Sequence, residues 1–152
     1  MADAAATAEF AKQVAAALPA NLGGWSILLQ GELGAGKSTF ARALLRNFGF
    51  DGAVPSPTYT LVEPYEVGER VVYHIDLYRI AAAEELDFLG WSDMQDGLKL
   101  IEWPERVPSL MQGADAILKL AYDGTGRTAE FILKSDRAQQ CLNSAVSEPA
   151  RS

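Results

Sequence analysis

Apolar residues recur along this chain at helical and at strand spacing, and punctuation by glycine and proline separates the segments. The alanine-rich stretch from Thr7 to Leu18 predicts an amphipathic helix that stops before Pro19 and the Asn21-Leu22-Gly23-Gly24 turn. Trp25 to Gln30 is an apolar run that suits a strand covered on both faces. Lys37 to Phe48 has apolar positions at Phe40, Leu44, Leu45 and Phe48, a helical spacing, and Gly49 is placed to end it. Pro55 and Pro57 flank Ser56, so an extended loop is expected before Thr58. Thr58 to Val67 and Arg70 to Leu77 then read as two strands joined at Gly68-Glu69. Ala81 to Leu89 predicts a short helix closed by Gly90, and Leu98 to Trp103 a compact strand stopped by Pro104. Asp115 to Tyr122 and Thr128 to Lys134 form a hairpin around Asp123-Gly124-Thr125-Gly126. From Ser135 the chain turns polar, and a poorly ordered tail or weak helix is expected over 135–152, after a single domain at 1–134.

This order of elements predicts an α/β fold: a mixed sheet with a parallel centre, flanked by helices, and a ligand at the carboxyl ends of the central strands. The length of 152 residues fits one domain with a sizeable core. No apolar run approaches a membrane span. The amino terminus carries Asp3 and Glu9 and lacks the basic start of a secretory signal, so it reads as part of the mature protein. Cys141 is the single cysteine, which rules out an internal disulfide and points to a reducing cytoplasm. The formal net charge of −7 argues against strong direct nucleic-acid binding, because phosphate neutralisation dominates such affinity.

Candidate chemistry begins at Gly31-Glu32-Leu33-Gly34-Ala35-Gly36-Lys37-Ser38-Thr39, which fits the phosphate-loop pattern G-x-x-x-x-G-K-[ST]. Strand, glycine loop and helix follow in the order that pattern needs. Glycines let backbone N–H groups converge on phosphate oxygens, and the helix start adds the positive end of its dipole. Lys37 supplies a full charge to the terminal phosphates, and the Ser38 hydroxyl suits a magnesium ion. The fold class is therefore a P-loop NTPase-like mixed sheet.

Such a loop calls for an acid at the tip of a neighbouring apolar strand. Glu102, after Leu100-Ile101, and Asp76, after His74-Ile75, both meet that description. Trp103 is a candidate for stacking on a base or for packing at the rim of the pocket. His74 is the single histidine and reads as a packed residue rather than a ligand, and Tyr59, Tyr65, Tyr73 and Tyr78 as sheet packing. Asp87-Phe88-Leu89-Gly90 matches the D-x-x-G string of GTPases but falls in a predicted helix, and no N-K-x-D string occurs.

GELGAGKSTF, SPTYTLVEPY, YHIDLYRI, EELDFLG and IEWPER occur in this order. Together they resemble the TsaE family of small bacterial P-loop ATPases, from about Gly31 to Arg106, with weaker likeness in the first helix and last hairpin. The resemblance implies a role in making threonylcarbamoyladenosine beside the tRNA anticodon. It implies ATP and Mg2+ as ligands, TsaD-like and TsaB-like proteins as partners, and contact with tRNA only through them. It also implies that Gly34, Ala35, Gly36, Lys37, Ser38 and Thr39 hold phosphates and that Ser38 and Glu102 serve the metal. Asp76 would organise metal or water. Ser56, Thr58 and Thr60 would belong to a switch loop, while Trp103, Glu105 and Arg127 would lie near the nucleotide. Thr7 would approach the base.

Phosphoryl transfer to water needs positioning and charge stabilisation. The switch segment has no clear arginine finger; Arg79, Arg127 or a partner residue are the candidates, so slow hydrolysis gated by partners is expected. Two other readings stay open. A small-molecule kinase uses the same loop, although the acidic, arginine-free stretch from Ala81 to Gln95 does not resemble an arginine-bearing lid. A non-catalytic module would use nucleotide only as a switch.

Overall fold

The computed structural model describes residues 4–31, 36–55, 57, 60–123 and 126–147. Their elements run α1 (Ala4–Ala17), β1 (Ser26–Gln30), α2 (Lys37–Phe48), β2 (Val62–Val67), β3 (Arg70–Asp76), β4 (Leu98–Glu102), α3 (Leu110–Gly113), β5 (Ala116–Asp123), β6 (Gly126–Leu133) and α4 (Asp136–Ser147). The six strands form one sheet in the order β2-β3-β4-β1-β5-β6. β3, β4, β1 and β5 are mutually parallel, and β2 and β6 close the two edges by antiparallel pairing. This is the predicted mixed sheet with a parallel centre.

Strand alternation divides the core in two. Ile27 and Leu29 of β1 and Leu98 and Leu100 of β4 face α1, α2 and α4, where they meet Val14, Phe40, Leu44, Leu45 and Leu142. Leu28, Ile75, Ile101 and Ile117 face the other way, against Leu77, Leu86, Met94 and Val107. Each fully buried Leu or Ile contributes roughly 1.5–3 kcal/mol by leaving water, so the central strands are anchored on both faces. That suits their near-continuous apolar sequences. α2 ends at Gly49, whose φ of 111° is left-handed and whose N–H donates to Arg46 O and Leu45 O. β2 carries Pro64, exposed, and it is an outermost strand, where a missing donor is tolerated.

Several expected elements shift. β2 starts at Val62 rather than Thr58, because Leu61 adopts φ 71° and its N–H donates to Pro57 O at 2.8 Å, closing a turn. The segment Ala83–Leu89 is a 3₁₀ helix, followed by a second over Trp91–Asp93. The backbone N–H groups of Ala81 and Ala82 both donate to the Glu85 carboxylate, which fixes its entry.

In the tail, Asp136–Ser147 is a helix, one of the two outcomes expected there. Ala138 and Leu142, four residues apart, are buried in the core against α1 and β6. Its first turn is clasped to the sheet by Asp115. That carboxylate accepts from Ser26 N at 2.9 Å, Ser135 Oγ at 2.7 Å and Arg137 Nε at 2.8 Å. Arg137 also donates to Gly24 O and lies over the Trp25 ring. Cys141 is half-buried on this helix. No helix among the described residues is long and apolar enough to cross a membrane.

Candidate phosphate-binding site

The site lies where β1, β4 and β3 end side by side and α2 begins. Leu29 pairs with Glu102 across β1 and β4, and Asp76 pairs with Glu102 across β3 and β4. α2 is entered through Gly36 at φ 111° and ψ 10°, a left-handed conformation that favours glycine, and Phe40 N donates to Gly36 O at 2.9 Å. The first-turn N–H groups of any such helix have no acceptor within the helix and carry its positive pole. Gly34 and Ala35 lie outside the described residues.

Lys37 opens α2 and is only 4% exposed. Its Nζ has no hydrogen-bond partner among the described residues and sits 4.0 Å from the centroid of the Trp103 ring. Burial lowers the pKa of this ammonium, while Glu102, Glu105 and Asp76 act in the opposite direction. A buried cation without an acceptor is costly. The ring face offsets part of that cost, about 0.5–2 kcal/mol for a desolvated cation–π contact.

Glu102 is buried at the tip of β4. Its Oε2 accepts from Ser38 Oγ at 3.4 Å and lies 2.5 Å from His74 Nε2. Because side chains alternate along a strand, His74 and Asp76 share one face of β3, and Glu102 occupies the same face of β4 toward α2. Asp76 is buried as well, and burial pushes its carboxyl pKa up. The Tyr78 backbone N–H, donating to Asp76 Oδ1 at 2.9 Å, pulls it partly back. Trp103 follows Glu102 in a left-handed conformation, φ 58° and ψ 47°, uncommon for a large side chain. That bend turns the chain out of β4 into the 3₁₀ segment Pro104–Arg106. The indole packs against Tyr78, ring centroids 4.9 Å apart, and the Arg106 guanidinium lies 5.2 Å from the Tyr78 ring.

The structure thus brings Lys37, Ser38, Asp76, Glu102 and Trp103 together, with Glu105 exposed but close enough to act on the Lys37 charge. Thr39 is half-buried on the first turn of α2. In the switch segment, Ser56 and Thr58 lie outside the described residues, and Thr60 is exposed in the turn before Leu61. Leu61 O accepts Asp76 N–H at 2.9 Å, tying the end of that segment to the acid's own backbone. Arg127 is paired through its backbone with Tyr122 at the far end of the β5–β6 hairpin, and its side chain lies outside the described part. Arg79 is exposed in the turn after Tyr78, and Thr7 is buried on α1.

His74 is the side chain beside Glu102 that the sequence did not single out. It is packed, as expected of a lone histidine, yet its ring meets the acid of the site. The signal was its place two residues before Asp76, on the same strand face. Tyr78 was likewise read as sheet packing and instead braces Trp103.

The model of the TsaE family, described as threonylcarbamoyl adenosine biosynthesis protein TsaE, matches residues 1–130. The chain belongs to the TsaE family. It is 40% identical over 119 residues to the tRNA threonylcarbamoyladenosine biosynthesis protein TsaE of Haemophilus influenzae, covering 77% of this chain and 75% of that one. The TsaE protein of Synechocystis is 41% identical over 111 residues, 69% of this chain and 68% of its own. The crystal structure of Bacillus subtilis YdiB aligns with a TM-score of 0.71 at 24% identity, over 95% of this chain and 90% of that one, a likeness of fold. The site residues of this TsaE-family chain from Gly36 to Glu105 all lie within the span that the family model matches.

Proposed function

We propose that this chain binds ATP with Mg2+ at the start of α2 and hydrolyses it slowly. In this reading the cycle supports threonylcarbamoyladenosine modification of tRNA through a TsaB–TsaD-type complex. The observation that carries the reading is the buried Lys37 ammonium with no acceptor among the described residues, beside the Ser38 hydroxyl on the first turn of α2 and the Glu102 carboxylate at the tip of β4. A phosphate oxygen is the acceptor that such a cation lacks. The names of the TsaE relatives supply the pathway.

Ser38 and Glu102 offer hard oxygen donors of the kind Mg2+ prefers. Among the described residues no group of three His, Cys, Asp or Glu side chains could hold a metal alone, so the two would share it with phosphate oxygens and water. When bound, the ion neutralises charge on the phosphates. Lys37 adds charge on the same side, worth more in a buried site than in water. Asp76, its pKa raised by burial, is placed beside Glu102 to orient a water. With no arginine assigned to the terminal phosphate, transition-state charge is incompletely met, which accounts for slow turnover and leaves room for a partner's contribution.

Phosphate release by the purified protein, measured with and without TsaB-like and TsaD-like proteins, tests the reading. Slow release that the partners alter is expected. Turnover at tens per second unaided refutes the gating, and full activity in a folded Lys37→Ala variant refutes the site.

A further inference from the structure

We propose that His74 is a positioning residue of this site: its Nε2–H donates to Glu102 Oε2 and holds the carboxylate in the one orientation that serves both Ser38 and a metal. The inference rests on the metal role read for Glu102 under the proposed function.

Three observations carry it. His74 is 1% exposed and its Nε2 lies 2.5 Å from Glu102 Oε2, within hydrogen-bond distance. The Ser38 hydroxyl reaches the same oxygen at 3.4 Å, so the tighter contact belongs to the histidine. The other ring nitrogen, Nδ1, is buried with no partner among the described residues. A bare lone pair there is less costly than an unpaired N–H, so the geometry places the proton on Nε2. The register of β3 on β4 sets His74 beside Leu100, and the next same-face pair is Asp76 with Glu102, which brings the ring to the carboxylate.

The alternatives are weaker. A histidine that served only as filler would gain nothing from facing a carboxylate across two ordered strands. A histidine ligating the metal itself suits Mg2+ poorly, because that ion prefers hard oxygen donors. Lys37 is the nearest rival for Glu102, yet its Nζ makes no hydrogen bond to it. Orientation of Glu102 therefore falls to His74, and Ser38 is left able to turn toward a ligand.

Because His74 is the single histidine, its ring gives one set of imidazole signals. Long-range 1H–15N NMR of the full chain without nucleotide should show Nε2 protonated and Nδ1 bare, with a shift in Glu102→Gln. A proton on Nδ1 overturns the proposal outright, with no variant needed.

The second arm uses Mn2+ as the probe, in EPR titrations with ATP. His74→Ala should weaken Mn2+ binding about 10- to 100-fold, as loss of a ligand's hydrogen-bond partner does. Affinity for metal-free ATP should change less than threefold, and His74→Gln, whose amide reaches the same place, should restore most of the loss. Equal weakening with and without metal marks a merely structural role and overturns the inference. If wild-type protein binds neither ATP nor Mn2+–ATP, the proposed function fails instead, and the NMR result still decides the His74–Glu102 bond.

Discussion

The ammonium of Lys37 lies 4.0 Å from the ring centroid of Trp103, and this contact puts an aromatic reporter on the one buried cation of the glycine-loop helix. A phosphate ligand would draw the cation off the ring and change the indole's surroundings. Trp25 and Trp91 sit elsewhere, against Arg137 and Lys99. Addition of Mg2+–ATP should therefore alter tryptophan emission, and Trp103→Phe should abolish the change. An undiminished signal in that variant would assign it to another indole.

Lys37→Ala should separate folding from chemistry. The side chain is buried, and desolvation disfavours its charge, so its removal costs the fold little and relieves an unpaired cation. The melting temperature should hold or rise. Phosphate release should fall on the order of 100-fold or more, the scale expected for losing a preorganised charge at a phosphoryl group.

Acid should loosen the clasp of α4 on the sheet. Burial alone would push Asp115 up, but the hydrogen bonds from Arg137, Ser135 and Ser26 outweigh it and hold its pKa below the ordinary 3.8. The unfolded chain therefore binds this proton more readily, and the stabilisation is present above that ordinary value and lost as pH falls through the folded one. Asp115→Asn should lower stability by about 1–3 kcal/mol at pH 7. In urea titrations at pH 3 the gap between variant and wild type should shrink.

Gly97→Ala should weaken the entry of β4. An added Cβ would lie 2.3 Å from the backbone carbonyl of Val71, which cannot move without parting β3 from β4. A loss of about 1–3 kcal/mol is expected from such overpacking, read as a lower thermal midpoint. Gly68→Ala is a control for space alone, with nothing within 4 Å, although its φ of 63° adds backbone strain.

The part of the fold legible beforehand was the part governed by local signals. Glycine punctuation gave α2 from Lys37 to Phe48 as observed, and apolar runs located all six strands. What escaped was set by distant contacts. Leu61 turns left-handed to tie off the loop after Pro57, which shortens β2, and no local pattern announces that. A helix at 136–147 was one of two expectations for the tail, but the bond of Arg137 to Asp115, 22 residues earlier, which clasps it to the sheet, has no local signal. At the candidate site, Lys37, Ser38, Asp76 and Glu102 could be singled out beforehand because motif and strand-end position coincide. The bond between His74 and Glu102 spans two strands, and only their register brings the pair together.

Pro64 gives the sheet a chemical terminus. It occupies the outermost strand, exposed, where another molecule's strand would need a hydrogen to accept and would find a pyrrolidine ring. Edge-to-edge growth along this border is blocked at that residue, so a concentrated pool of identical copies is spared one route to fibrous stacking.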